Sequence, residues 1–360
     1  MIKTFYITTP IYYVDDIPHI GHAYTTILAD VISRYQKQIG NDSFFLTGVD
    51  EHGQKVQEAA KKRGVNPLQH CDEMAKRFIS LWQELHISND DFIRTTEQRH
   101  QKVVKKILNI VNDAGDIYAD EYEGLYSISE ERFITEKELD SGQFGEVKQI
   151  KEKNYFFKMS KYQTTLIDKI EKDELLIQPK SRKNEVLGFL KNELSDLCIS
   201  RPKSRLEWGI ELPFDDNYVT YVWFDALINY ISAIGLYKDD KQFSSLWPAD
   251  VHLIGKDILT THSVYWPTML LSLGLPLPQR IFAHGWWLTD DQKMSKSLGN
   301  VVSPLMLVDD FGVDSVRYYL MSEMVLGMDA TFSSESFEKK YNSDLAIDFG
   351  NLVSRVSTLI

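Results

Sequence analysis

Two short segments hold side chains of the types and spacing that could handle a polyphosphate. His19-Ile20-Gly21-His22 sets two imidazoles three positions apart, on one side of a helix start. Gly21 between them has no side chain to block a flat ring, and a helix N-terminus adds partial positive charge and free N–H groups. Lys293-Met294-Ser295-Lys296-Ser297, bounded by Asp290-Asp291 and by Gly299-Asn300, offers two ammonium groups on a polar loop that can swing onto phosphates as point charges. Taken singly, each has a bland alternative: satisfied surface histidines in one case, a solvated charged loop in the other. The sequence contains no G-x-x-x-x-G-K-[ST], which disfavours a P-loop nucleotidase.

The elements that must position these groups can be read from apolar periodicity. Thr4 to Tyr13 is rich in Thr, Tyr, Ile and Phe and predicts a buried strand. After the loop Val14-Asp15-Asp16-Ile17-Pro18, the residues Ile20, Ala23, Ile27, Leu28, Val31, Ile32 and Tyr35 mark one face of a helix that Gly40 stops. Ser43 to Val49 predicts a second strand, followed by the polar turn Asp50-Glu51-His52-Gly53 and a helix to Gly64. Such a succession opens an α/β fold with a doubly wound, parallel, Rossmann-like sheet, whose ligands bind outside the carboxyl ends of the strands. From Tyr118 to about Pro213 the chain is charged and tyrosine-rich without that rhythm, and reads as an insertion. The rhythm returns at Tyr218–Phe224, Val251–Ile254 and Arg280–Ala283. From Ser333 on, Phe337, Tyr341, Leu345, Phe349, Leu352, Val353 and Val356 form a helical apolar stripe that is still running at Ile360.

Composition sets outer limits. The 360 residues are 43% hydrophobic, enough for a sizeable core, and no run of about 18 apolar residues is available to span a membrane. The first residues lack the features of a signal peptide, and Cys71 and Cys198 are too few and too far apart for a disulfide framework, so a cytoplasmic protein is expected. A net charge of −12 gives no general attraction to nucleic acid. Lys180-Ser181-Arg182-Lys183 and Lys339-Lys340 are candidate local patches, though short charge runs are more often solvated surface.

The histidine and lysine motifs together, in this order and each after a strand, resemble the two signatures of the class I aminoacyl-tRNA synthetases. A given five-residue string occurs by chance in a chain this long with a probability of roughly 10⁻⁴. Thr9-Pro10-Ile11-Tyr12-Tyr13, Thr47–Gly53, Tyr221–Leu227, Gly255-Lys256-Asp257 and His284-Gly285-Trp286-Trp287 narrow the resemblance to the methionine family. It implies methionine, ATP and a methionine tRNA as partners, and Mg²⁺ on the pyrophosphate. By the same resemblance Asp50 receives the substrate ammonium, and Ile11, Tyr13, Trp223, Ala226, Ile281 and His284 surround the thioether. His19, Gly21, His22, Gly255, Asp257, Lys293 and Lys296 serve ATP, with His19, His22, Lys293 and Lys296 as the catalytic set. A thioether favours aromatic walls, and Tyr13 and Trp223 offer them.

The implied organisation is a first catalytic half at 1–117 and a connective insertion at 118–213. A second catalytic half follows at 214–287, the lysine loop and stem-contact region at 288–332, and the start of a helical anticodon-binding domain at 333–360. That domain continues in the family, so the chain is expected to be truncated within it. Adenylation should then proceed without the missing helices, while tRNA charging should need them. Many relatives carry zinc-binding Cys-x-x-Cys pairs in the insertion. Here Ser127-Ile128-Ser129-Glu130 stands in the matching place and no Cys-x-x-Cys occurs, so no zinc is expected. The insertion must then rely on packing, for which Tyr118, Tyr122, Tyr126, Phe133, Tyr155, Phe156 and Phe157 are candidates. A leucine, isoleucine or valine enzyme would carry a larger insertion, and a cysteine enzyme a zinc thiolate site. A non-catalytic tRNA-binding relative would have no need of both phosphate motifs. Monomer and homodimer both remain open.

Overall fold

A computed structural model describes residues 3–15, 17–127, 132–134, 139, 146–289, 292–294 and 301–360. Its centre is a six-stranded parallel sheet. Strand β1 (Thr4–Tyr13) lies between β2 (Asp42–Asp50) and the strand Val251–Gly255; β3 (Asp91–Arg94) edges the first side, and Arg280–His284 then Leu176–Gln178 complete the other. Successive residues of the inner strands feed two different cores. Tyr6, Leu46 and Ile93 join one cluster with helix α4 (Gln98–Asp113), while Phe5, Ile7 and Phe45 join another with α1 (Ile20–Gln38) and α3 (Pro67–Glu84). A parallel sheet covered on both faces in this way accounts for the nearly unbroken apolar run of β1.

The chain leaves β1 for β2 on one side and returns beside β1 from the other side at Val251, so the switch point lies at the carboxyl end of β1. There β1 carries an irregularity: Thr8 pairs with Leu46, but Ile11 pairs with Gly48, leaving one extra residue around Thr9-Pro10. A proline removes a ladder donor, and a bulge re-aims the residues after it, here Ile11 to Tyr13.

Three sequence expectations are corrected. Tyr218–Phe224 is not a strand of the parallel sheet. Asp215–Thr220 pairs antiparallel with Ser200–Pro202 and Glu211–Leu212, and Val222–Leu227 is helical. Its aromatic and β-branched residues suit either setting, and periodicity does not identify the partner. Within the segment read as an insertion, Leu176–Gln178 adds an edge strand to the main sheet. In α1, Val31 and Tyr35 face solvent, whereas Asp30 and Ser33 are buried, because Asp30 binds Ser88, Arg34 and Arg317.

The rest of the tyrosine-rich segment forms a four-stranded antiparallel sheet built on Ile117–Ser127 and Val147–Phe157. Tyr118 stacks on Phe156, Tyr155 meets Phe214 and Tyr218 edge-on, and Phe157 packs into the main core against Phe224. The side chains of Tyr122 and Phe133 lie outside the described residues. A small sheet of Trp287–Thr289, Gln292–Lys293 and Ala330–Phe332 follows the last parallel strands. The final helical run begins at Ser334; Phe337 is buried against Phe311 and Tyr319, while Phe349, Leu352, Val353 and Val356 are exposed.

Candidate active site

A cleft of about 440 Å³ opens at the carboxyl ends of β1, β2, Val251–Gly255 and Arg280–His284. Of the predicted residues, it is lined by Ile11, Tyr13, His19, Gly21, His22, Asp50, Trp223, Gly255, Asp257 and His284. Met294, from the lysine motif, also faces it. Two predicted residues are set back from it. Ala226 is buried one turn behind Trp223, and Ile281 faces the core because strand alternation turns His284 the other way. Lys293 pairs with Leu288 through its backbone, its side chain is outside the described residues, and so is the whole of Lys296.

The histidine corner is fixed by the end of its own helix. His19 is the N-cap of α1: its Nδ1 accepts the Gly21 N–H at 3.1 Å, and its own N–H donates to Nδ1 of His22 at 3.1 Å. This is a capping box made of imidazoles instead of hydroxyl and carboxylate. The rings lie 4.0 Å apart between centroids. A Cβ on Gly21 would come within 2.9 Å of His19 Cε1, so the room glycine makes is for the His19 ring. Because each Nδ1 accepts a backbone N–H, each ring's proton must sit on Nε2, giving two neutral donors. Burial, with His19 beside it, holds the His22 pKa well below the ordinary imidazole value. Tyr12 meets His22 edge-on and is itself tied to Thr26 at 2.7 Å.

His284 is oriented from both sides. Its Nδ1–H donates to the Gly285 carbonyl at 2.7 Å, and its Nε2 accepts from Thr25 at 2.7 Å. Burial pushes its pKa down, against the pull of the Gly285 bond. Gly285 must lack a side chain, since a Cβ there would meet the Met328 carbonyl at 2.0 Å. That close approach sets Asp329 behind the cleft residue Trp286, whose N–H it accepts at 2.8 Å, and beside Lys256, with which it pairs at 2.7 Å. Lys256 also lies over the Trp286 ring, 4.1 Å from its centroid, and Trp286 Nε1 donates to Asp257 at 3.2 Å.

Asp50 ends β2 and opens a turn that is held from several directions. The Val14 N–H donates to the Asp50 carbonyl at 3.2 Å, and Trp208 Nε1 donates to the carbonyl of Glu51. The Glu51 side chain is buried on Arg94 at 2.7 Å and on Thr96. Sequence reasoning missed Thr25, Lys55, Ile258 and Met294 as cleft residues. Thr25, one turn after His22, could have been found from its helical face, and Met294 from its place inside the lysine motif; Lys55 and Ile258 gave no local signal.

The family model described as tRNA synthetases class I (M) matches residues 5–143 and 141–357. Methionine–tRNA ligases of Clostridium tetani and Clostridium acetobutylicum are each 51% identical over 99% of the chain. The chain spans 56% of the length of each of these relatives. A solved Mycobacterium tuberculosis methionyl-tRNA synthetase in complex with methionyl-adenylate superposes with a TM-score of 0.95 at 42% identity, covering 98% of this chain and 71% of that one.

Proposed function

The chain belongs to the class I tRNA synthetases of the methionine type, and on that premise we propose that it is the catalytic body of a methionine–tRNA ligase. It activates methionine with ATP to methionyl-adenylate and pyrophosphate, and its methionine then passes to tRNA. The observation that carries this reading is the convergence of His19, His22, Asp50, Trp223 and Asp257 on one cleft at the switch point.

In the reaction, one oxygen of the methionine carboxylate forms a bond to the α-phosphorus. The bridge to the β-phosphate breaks, and pyrophosphate leaves with that electron pair. The carboxylate is already ionised, so no general base is needed, and catalysis consists of positioning and of stabilising charge on phosphoryl oxygens. His19 and His22 supply neutral Nε2–H donors for that charge. Lys293 and Lys296 supply ammonium groups from the lysine motif, and Asp257 takes the ribose. Asp50 receives the ammonium of methionine, while Ile11, Tyr13, Trp223 and His284 enclose its thioether. Ala226 and Ile281 shape that wall from behind.

Mg²⁺ on the polyphosphate is part of this proposal, since a hard cation of this kind is usually held through substrate phosphates. Among the described residues no cluster of three or more His, Cys, Asp or Glu could hold a metal ion. We also infer that the chain holds no structural zinc. Its two cysteines are separate, Cys71 buried against the Glu51 carbonyl and Cys198 beside Arg201. No described helix is long and apolar enough to cross a membrane, and we take the protein to act in the cytoplasm.

Pyrophosphate exchange across the amino acids tests the reading. Methionine should support exchange, norleucine less, and leucine poorly, because a pocket of this kind discriminates by roughly 1–3 kcal/mol per methylene. Synthetases are the source of that limit, so its size is not a new result. Leucine activated as well as methionine would contradict the substrate assignment.

A further inference from the structure

Asp50 faces the cleft, but its neighbour two positions on turns into the protein. His52 Nδ1 lies 2.6 Å from one oxygen of Asp225, and His100 Nε2 lies 2.6 Å from the other. His100 Nδ1 is in turn 2.8 Å from the Ser232 hydroxyl. The side chains of His52, His100 and Asp225 are 4%, 0% and 0% exposed, and none of the three lines the cleft. They join three separate elements. His52 belongs to the turn that carries Asp50, Asp225 to the helix Val222–Leu227 that carries Trp223, and His100 to α4.

A fully buried carboxylate is costly, and apolar packing of equal volume would often be as stable. What two directional bonds of 2.6 Å add is a defined distance and angle between the elements they connect. Both oxygens of Asp225 are used, one toward each element. Burial alone would raise its pKa, and the bonds from His52 and His100 outweigh that, leaving the carboxyl below its usual value and ionised.

We propose that Asp225 is a positioning residue for the amino-acid substrate: by gripping His52 it sets the Asp50 turn against the Trp223 helix, with His100 anchoring the pair to α4. The proposal rests on the reading of the cleft as an amino-acid and ATP site. It assigns these residues an effect on one substrate only. Asp50 and Trp223 would grip methionine, whereas His19, His22 and Asp257, on which ATP depends, are held by other bonds.

Pyrophosphate exchange with His52 variants separates this from a general structural role, because the amide nitrogen of asparagine occupies the place of Nδ1 and that of glutamine does not. His52→Ala and His52→Gln should raise the methionine KM about tenfold with the ATP KM held within about twofold. His52→Asn should restore a methionine KM near that of the unaltered chain, and His100→Gln, which keeps the Nε2 position, should do the same where His100→Ala does not. If His52→Ala fails to fold, the Gln and Asn pair of similar size decides. An unchanged methionine KM in folded His52→Gln would overturn the proposal. So would equal rises in both KM values, or failure of His52→Asn to rescue. An unaltered chain inactive with methionine would overturn the functional reading and the brace together, whereas an active chain with inert variants would overturn the brace alone.

Discussion

The two sides of the cleft are built on different principles. The histidine corner closes within four residues: donors and acceptors are backbone N–H groups and ring nitrogens of one helix end, with no charge on either ring. The facing wall joins Lys256 and Asp257 to Trp286 and Asp329 through an ion pair at 2.7 Å, a cation–π contact and two hydrogen bonds donated by the tryptophan. Lys256 and Asp329 keep 17% and 37% of their side chains exposed, so water and salt screen their attraction. Partial burial raises the Asp329 pKa, but the Lys256 and Trp286 bonds outweigh it and keep the carboxyl low. The first side is therefore fixed once α1 forms. The second depends on distant segments meeting and should tolerate more change.

The sharpest way to break the comparison is to remove the Nε2–H donors while keeping the cap. His19→Asn and His22→Asn each retain an acceptor where Nδ1 stood, and asparagine is a good N-cap. Exchange should fall by about 10²-fold or more, as on loss of a donor to a developing oxyanion. Melting temperature should hardly move. A large loss of stability with little loss of rate would reverse the roles assigned to the corner.

Gly21→Ala keeps both histidines but pushes on the His19 ring, and alanine otherwise favours helix. The exchange rate should drop by roughly tenfold from misplacement of the ring. A variant as active as the parent would show that the corner is looser than its geometry implies. On the facing wall, Lys256→Met should change the ATP KM by no more than about fivefold, in keeping with a screened pair worth up to about 1 kcal/mol. Added salt should shrink even that difference; a loss as large as that of His19→Asn would remove the contrast between the two sides.

The same contrast decides what the sequence could reveal. β1, α1, β2 and the histidine corner were legible because each is a local pattern: a buried apolar run, a capped helix, a polar turn after a strand. The facing wall was not, since nothing around Lys256 announces Asp329. The bonds that His52 and His100 donate to Asp225 are hidden for the same reason. A buried Asp30 in α1 likewise escaped, because apolar periodicity assigns charged residues to the solvent face and Arg317 is far along the chain. The strand expected over Tyr218–Phe224 gives way to helix from Val222 on, because Val222, Trp223 and Phe224 fit a buried strand and a buried helix equally.

Acid should expose the neutral histidines. His22, His252 and His284 have lowered pKa values, and His262 is held down to about 4, in each case chiefly by burial. The unfolded chain therefore binds more protons below the ordinary value of 6.5, so stability is complete above that pH and declines as pH falls from about 6.5 toward 4. Melting temperature against pH should be flat from about pH 7 to 8 and steepen in that acid window. A decline that began only below about pH 4 would assign the loss to carboxylates instead.

The corner's protonation state is the claim on which the catalytic account turns, and nitrogen-15 NMR of histidine-labelled protein reads it directly. At neutral pH, without ligands, His19 and His22 should each show a protonated Nε2 and an unprotonated, hydrogen-bond-accepting Nδ1, with assignments from the two asparagine variants. An imidazolium at either position, or a proton on either Nδ1, would contradict the capped neutral pair and the donor role built on it.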